Sequence, residues 1–251
     1  MESNFIIKPA GDCAIAVEFK NEISEEVNNR VAILKAFIEN SGVIGMLECI
    51  PTYRSLTVRY NPCEISFEEL GKRINEFMEK AGSSAEAVAK VYLVPVCYGG
   101  EFGPDLDNVG SINGMSEEEV INIHVSVDYR IYMLGFTPGF PYLGGMNESI
   151  ATPRLKQPRT KIYAGSVGIA GKQTGIYPID SPGGWQIIGR TPLKLFDIDR
   201  KDPILLEAGN YIRFKAIDYE EYQSILGAVE EGTYECETET ITRGGAGNGF
   251  H

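Results

Sequence analysis

Between Gly135 and Pro192 the chain never runs more than seven residues without a glycine or a proline, and that punctuation limits what the segment can fold into. A helix of ordinary length needs about ten or more residues free of such interruptions. The segment lacks helical periodicity and reads as short strands joined by tight turns. Short strands at close spacing argue for a closed or sandwiched β architecture.

Upstream the texture differs. Asp12–Phe19 alternates as a strand, and Ile23–Asn40 carries Val27, Val31, Leu34 and Ile38 at helical spacing before Ser41-Gly42. Val43–Ile50 and Tyr53–Tyr60 read as two more strands. Ser66 and Glu69 stand at capping-box spacing before a second helix that runs to Ala81-Gly82, and Lys90–Val96 reads as a fourth strand. The order β-α-β-β-α-β is that of a split-βαβ, ferredoxin-like domain. Beyond it, Tyr98–Leu106 is a turn-rich loop. Ser116–Ile123 is a short helix with Ser116 and Glu119 as its capping box, and His124 opens a strand that continues through Val125–Leu134. The expected division is 1–90 for the first domain, 91–236 for a β-rich second domain, and 237–251 for a Gly-rich mobile tail.

A chain of 251 residues, 43% hydrophobic and 23% charged, can bury two modest cores. No apolar run reaches the length of a membrane helix, and the N-terminus lacks the basic end and long apolar run of a signal peptide. A cytoplasmic location and no membrane partner are therefore expected. A net charge of −12 argues against nucleic acid, which needs a basic face. Five scattered cysteines without a CxxC pair fit free thiols. With only two histidines and no calcium loop, no metal site is expected.

Chemistry concentrates in the punctuated segment. Phe136, Phe140, Tyr142, Tyr163, Tyr177 and Trp185 add flat surfaces to loops stiffened by Pro138 and opened by Gly139, Gly183 and Gly184. Arg154 and Arg159, each after a proline, and Arg190 are forks for a carboxylate or a phosphate. His124 is the only histidine before the terminal His251, hence the acid–base candidate, and Asp105 is its candidate partner. Ala164–Gly168 resembles a nucleophile elbow around Ser166, but the available histidine precedes the serine, against the order of α/β-hydrolases. Ser166–Gln173 resembles a Walker A loop, yet it lacks the first glycine and the Ser/Thr after Lys172. Both are rejected.

His124 with Tyr129-Arg130, Gly135–Gly145, Pro153-Arg154, Pro158-Arg159, Ala164–Val167, Gly175–Pro178, Ser181–Trp185 and Ile188–Pro192 together resemble one family. It is the B-subunit family of bacterial ATP-dependent 5-oxoprolinase, also described as allophanate hydrolase subunit 1 or a sporulation-kinase inhibitor. The resemblance spans nearly the whole chain. It implies an α+β chain, with a ferredoxin-like N-terminal domain followed by a cyclophilin-like β-barrel. It implies two partners, 5-oxoprolinase subunits A and C, with a site shared with the second of them. It further implies that the complex uses ATP to open 5-oxo-L-proline to L-glutamate. His124 and Asp105 would then be catalytic. Arg154, Arg159, Arg190, Phe136, Pro138, Gly139, Tyr177, Gly183, Gly184 and Trp185 would bind substrate. The alternatives are inhibition of a sensor histidine kinase, with Phe136 and Trp185 as anchors, and carboxyltransferase or allophanate chemistry needing biotin-bearing partners. Tyr163 departs from the family, which usually has proline there.

Overall fold

The computed structural model describes residues 5–22, 24–81 and 87–243. The chain divides between Ala89 and Lys90 into two compact units, the second running to Ile241. Among the described residues no helix is long and apolar enough to cross a membrane.

The first unit holds β1 (Phe5–Pro9), β2 (Ala14–Phe19), α1 (Glu25–Asn40), β3 (Met46–Pro51), β4 (Ser55–Tyr60) and α2 (Phe67–Ala81). Its sheet runs β1-β2-β4-β3, antiparallel throughout. Strand periodicity puts Ile15, Val17 and Phe19 on one face with Leu56, Val58 and Tyr60, and α1 covers them with Val27, Val31, Leu34 and Ile38. Ser24 Oγ accepts from the Val27 N–H, and Ser66 Oγ from the Glu69 N–H, so each helix begins on a capped turn.

The expected β-α-β-β-α-β order is corrected here to β-β-α-β-β-α. The edge beside β2 belongs to β1, in register from Phe5↔Phe19 to Pro9↔Ile15. The strand after α2, β5 (Ala87–Tyr98), pairs in the second unit instead, where Val91–Cys97 finds a seven-residue parallel partner. Few alternating positions mark β1 in the sequence, too few to betray it without its neighbour.

The second unit continues with α3 (Leu106–Asn113), α4 (Glu117–Val125), β6 (Asp128–Leu134), β7 (Pro141–Gly144), β8 (Arg159–Ile162), β9 (Ser166–Ala170), β10 (Gln173–Ile176), β11 (Ser181–Gly183), β12 (Gln186–Arg190), β13 (Tyr211–Ile217), α5 (Tyr219–Glu230) and β14 (Thr238–Arg243). Eight strands form one sheet in the order β10-β9-β12-β5-β13-β6-β7, with β14 also on β5. The end strands β7 and β10 lie against each other, so the sheet is a nearly closed barrel. Val94, Val96, Ile131, Val167, Ile169, Ile188, Ile212 and Phe214 fill its core. Strands β8 and β11 pair separately as a two-stranded ribbon.

Three expectations change. The Ser116 capping box is present, but α4 continues through His124 to Val125 and the strand opens only at Asp128. Helices α3 and α5 lie outside the expected set. The segment expected as a mobile tail contributes β14 over Thr238–Arg243, because the Glu237 carbonyl and its strand complete hydrogen bonding along β5; the remainder of that expectation lies outside the described residues.

Candidate functional site

Two loops and the β8–β11 ribbon bring most of the sequence candidates together. The turn Gly135–Phe140 closes on itself through Thr137 N–H to Gly135 O and Phe140 N–H to Thr137 O, at 2.7 and 3.1 Å. Gly139 has φ +79, and a Cβ there would crowd the Leu195 carbonyl at 3.3 Å. Phe136 also sits at positive φ, the one non-glycine to do so among the described residues, and is 78% exposed. A bulky side chain in that conformation is strained. Its ring meets Phe140 edge-on. Phe140 in turn meets Tyr142, Tyr177 and Trp185, all with centroids 5.4–5.9 Å away. Tyr177 and Trp185 contact each other at 6.1 Å. The aromatic residues singled out in the sequence thus form one wall, Tyr163 excepted.

Arg159, at the start of β8, makes a bidentate pair with Asp105 at 2.7 and 2.9 Å. The Ile187 N–H also donates to Asp105, at 2.6 Å, and the Asp105 N–H returns a bond to the Ile187 carbonyl. Asp105 is therefore a fully engaged buried carboxylate that clamps the ribbon to β12. Beside this clamp, the Leu155 N–H donates to the Gly184 carbonyl at 2.7 Å, and Gln186 Nε2 to the Pro153 carbonyl at 2.9 Å. A Cβ at Gly183 would strike the Tyr177 hydroxyl and lie 2.8 Å from Ile162, so only glycine admits that approach. Replacing Asp105 by asparagine breaks the charge of the pair while Arg159 stays in place. Because Arg159 is partly solvated, the expected loss is about 2–3 kcal/mol in urea unfolding, below the range for a fully buried pair.

Arg190 lies elsewhere on β12. Its Nε donates to the Ala164 carbonyl at 2.9 Å, and its guanidinium lies 5.2 Å from the centre of the Tyr163 ring, which Lys161 also approaches at 4.6 Å. Lys161 is paired with Asp180, whose carboxyl is held below its ordinary range by that lysine first and by the Ala164 N–H second. The Tyr163 departure thus builds a cation-flanked aromatic of its own.

His124 and Asp105 are not brought together. His124 is wholly buried, between Tyr98 Oη and Thr174 Oγ1, each at 2.8 Å, with the Phe214 ring stacked at 4.5 Å. Thr174 Oγ1 donates to the Gly168 carbonyl, so it accepts from His124 Nε2–H, and Nδ1 accepts from Tyr98 O–H. Burial pushes the imidazole down to about 3 and the Tyr98 phenol well above its ordinary value, so the chain of bonds is neutral. The structure gives His124 the contacts of a bolt joining α4, β5 and β10, with no face toward solvent.

Both rejected motifs are ordinary sheet. Ser166 is buried in β9, and Gly171-Lys172 is the two-residue turn of the β9–β10 hairpin, with Lys172 paired to Glu148 at 2.7 Å. That hairpin offers no cradle for a nucleotide phosphate. Among the described residues no cluster of metal-ligating side chains occurs. Sequence reasoning missed Asn108, whose Nδ2 orients Gln186 at 3.0 Å, and the Arg159–Asp105 pairing, which joins residues 54 apart.

The model of the carboxyltransferase domain, subdomain C and D, matches residues 5–206. The 5-oxoprolinase B-subunit of Bacillus subtilis (strain 168) is 46% identical over 234 residues, covering 89% of this chain and 98% of that protein. The 5-oxoprolinase B-subunit of Escherichia coli O157:H7 is 39% identical over 206 residues, covering 81% of this chain and 92% of that protein. Among solved structures, a conserved uncharacterized protein from Pyrococcus horikoshii is 48% identical with a TM-score of 0.52, covering 86% of this chain and all of that one.

Proposed function

Because the chain belongs to the carboxyltransferase-domain family of subdomains C and D, and within it to the B-subunit group of 5-oxoprolinases, we propose that it serves as the B-subunit of an ATP-dependent 5-oxoprolinase. It works with partner subunits A and C to convert 5-oxo-L-proline to L-glutamate. The observation that carries this reading is the 46% identity through 98% of the Bacillus subtilis protein. The aromatic wall and arginines supply a face suited to a small, flat, anionic lactam.

Resonance makes a lactam carbonyl a poor electrophile. Phosphorylation of its oxygen at the expense of ATP, in the assembled complex, would convert that oxygen into a leaving group and admit attack by water. In this chain the Asp105–Arg159 clamp fixes the ribbon, and Phe140, Tyr177 and Trp185 stack against the ring and limit water. Phe136, Pro138 and Gly139 form the outer lip of the face, and Gly183-Gly184 allow close approach. Arg190 lies with Tyr163 at the far end of β12 and takes a phosphoryl or partner carboxylate there. His124 holds the barrel behind the face instead of exchanging protons with substrate. The ferredoxin-like kinship of the first unit and the cyclophilin-like kinship of the barrel belong to the same reading.

Co-expression with subunits A and C, followed by an assay of glutamate formed from 5-oxoproline, tests it. ATP-dependent activity is expected only when all three are present. The exposed, strained Phe136 favours a second reading, docking to the dimerisation helices of a sensor histidine kinase. Absent activity in the triple assembly, together with kinase inhibition by this chain alone, would reverse the order of the two.

A further inference from the structure

An opening of about 500 Å³ lies in the first unit between β1 and α2, with Ile7 on the strand side and Phe67, Gly71 and Asn75 on the helix. A second opening of about 270 Å³ shares Ile7 and Asn75 with it. β1 is an end strand of its sheet, so one row of its backbone groups has no partner strand. The Ala10 N–H donates to the Ala14 carbonyl at 2.9 Å, in step with the β1–β2 register. Alternation along an antiparallel ladder then turns Lys8 and Ile6 toward β2, and the N–H and C=O of Ile7 outward with the carbonyls of Phe5 and Pro9. The unpaired edge and the apolar opening meet at Ile7.

Gly71 stands inside α2, where only proline is a worse helix former than glycine. Neither usual reason for a glycine applies. Its φ is not positive, and a Cβ built there would meet nothing within 4 Å although the residue is buried. A side chain at this position would project into the opening, so the helix carries a weak residue that leaves bare backbone as the groove floor. Asn75 Nδ2 donates to the Gly71 carbonyl at 3.0 Å and is tied to that floor. Around the rim stand three carboxylates, Glu68, Glu76 and Glu79, and one ammonium, Lys72. Among the described residues none of these four makes an ion pair, whereas Glu69 and Arg73 of the same helix pair with each other. The rim is a net negative surface, complementary to a basic partner.

We propose that this groove docks an extended segment of another protein, reading basic–x–apolar–x–basic, which adds to the free edge of β1 as a further strand. Its backbone pairs with Ile7, and the main-chain bonds are indifferent to sequence. The three named positions share one face of a strand. Ile7 is paired with Val17, on the core side of the sheet, so that face looks onto α2. The central apolar side chain settles over Gly71 against Phe67, and the flanking cations meet Glu68 at one end and Glu76 and Glu79 at the other. The site belongs to the first unit alone and does not depend on the reaction assigned to the second.

The full chain is titrated with the labelled peptide Thr-Lys-Thr-Val-Thr-Lys-Thr, followed by fluorescence anisotropy. Two controls are the charge-reversed Thr-Glu-Thr-Val-Thr-Glu-Thr and the isomer Thr-Thr-Lys-Val-Lys-Thr-Thr, whose lysines lie on the face opposite the valine. Saturable binding of the first peptide is expected, with both controls weaker by about 10-fold or more. The Ile7 amide, followed by NMR, should gain protection from hydrogen exchange when the first peptide is bound. Gly71→Met should raise the urea midpoint, because a better helix former enters open space, and should weaken the first peptide by about 10-fold or more. E76K should weaken the first peptide and strengthen the charge-reversed one. Equal binding of the three peptides, no saturable binding of the first, or binding unaltered by Gly71→Met would each overturn the docking site. A lower urea midpoint for Gly71→Ala would also overturn it, since the glycine would then serve packing. Self-association of the chain alone that Gly71→Met abolishes would assign the edge to a second copy instead.

Discussion

Gly103→Ala is expected to prevent the second unit from folding. The new methyl would overlap the Ile188 carbonyl and lie 2.6 Å from the Gly99 nitrogen, and both obstacles are backbone. Those atoms are already committed, since the Gly99 N–H donates to Ile188 O at 3.0 Å and the Gly103 N–H to Gly99 O at 2.8 Å. Moving the loop away would also pull Asp105 from Ile187 and Arg159, so the loss cascades from one methyl to the clamp beneath the ribbon. A cost above about 4–5 kcal/mol follows, which belongs to the exceptional tail for single substitutions and rivals the stability of a whole domain. Soluble yield and urea unfolding measure it. Gly100→Ala, in the same loop, has a positive φ of 53 but open space around it, and should cost only about 1 kcal/mol. Equal tolerance of the two substitutions would mean the loop does not rest on β12.

The second large effect is acid lability that originates at His124. In the unfolded chain its imidazole titrates near the ordinary value of about 6.5, whereas burial holds the folded group down to about 3. Between those values the unfolded state binds a proton that the folded state refuses. The stabilisation is therefore complete above pH 6.5 and is lost as pH falls toward 3, at about 1.4 kcal/mol per pH unit. From pH 6.5 to pH 5 this one residue should remove about 2 kcal/mol. His124→Gln, which can still bridge Tyr98 and Thr174, should erase that component of the pH slope, read as the difference between wild-type and variant urea midpoints at the two pH values. His124→Ala leaves both hydroxyls without their partner and opens a cavity, so it should cost about 3–5 kcal/mol even at neutral pH. Parallel pH slopes for wild type and His124→Gln would show that the imidazole is accessible to protons in the folded protein, and would return it to consideration as an acid–base group.

These two residues also mark how far the sequence can be read. Features carried by nearby residues are legible. The Ser66–Glu69 and Ser116–Glu119 spacings announce α2 and α4, and the 3.6-residue recurrence of Val27, Val31, Leu34 and Ile38 announces α1. Glycine and proline punctuation announces a β-rich second unit. What requires distant partners is hidden. β1 is a strand only because β2 lies beside it, and β5 leaves the first sheet because a longer partner is available 120 residues downstream. Asp105 reads as a turn former or a partner for His124, since nothing local ties it to Arg159. Helix α5 carries a readable signal, Asp218 three residues before Glu221, and Asp218 Oδ1 does accept from the Glu221 N–H at 2.8 Å. The site is legible as a set of residue types grouped in one segment. Which arginine keeps its charge depends on pairings that only the fold decides.

The placement of β5 has a consequence in time. The first unit's sheet is assembled entirely from residues up to Tyr60, so it is complete as soon as α2 has been synthesised. The central strand of the barrel must wait: Lys90 donates to Asn210, and Val91–Cys97 pairs with Tyr211–Ile217. At roughly 5–20 residues per second, the ribosome leaves that valine-rich strand without its parallel neighbour for on the order of ten seconds. A chain built this way has a finished first sheet long before its barrel can close, and over that interval β5 is an unpaired edge of the kind that aggregates.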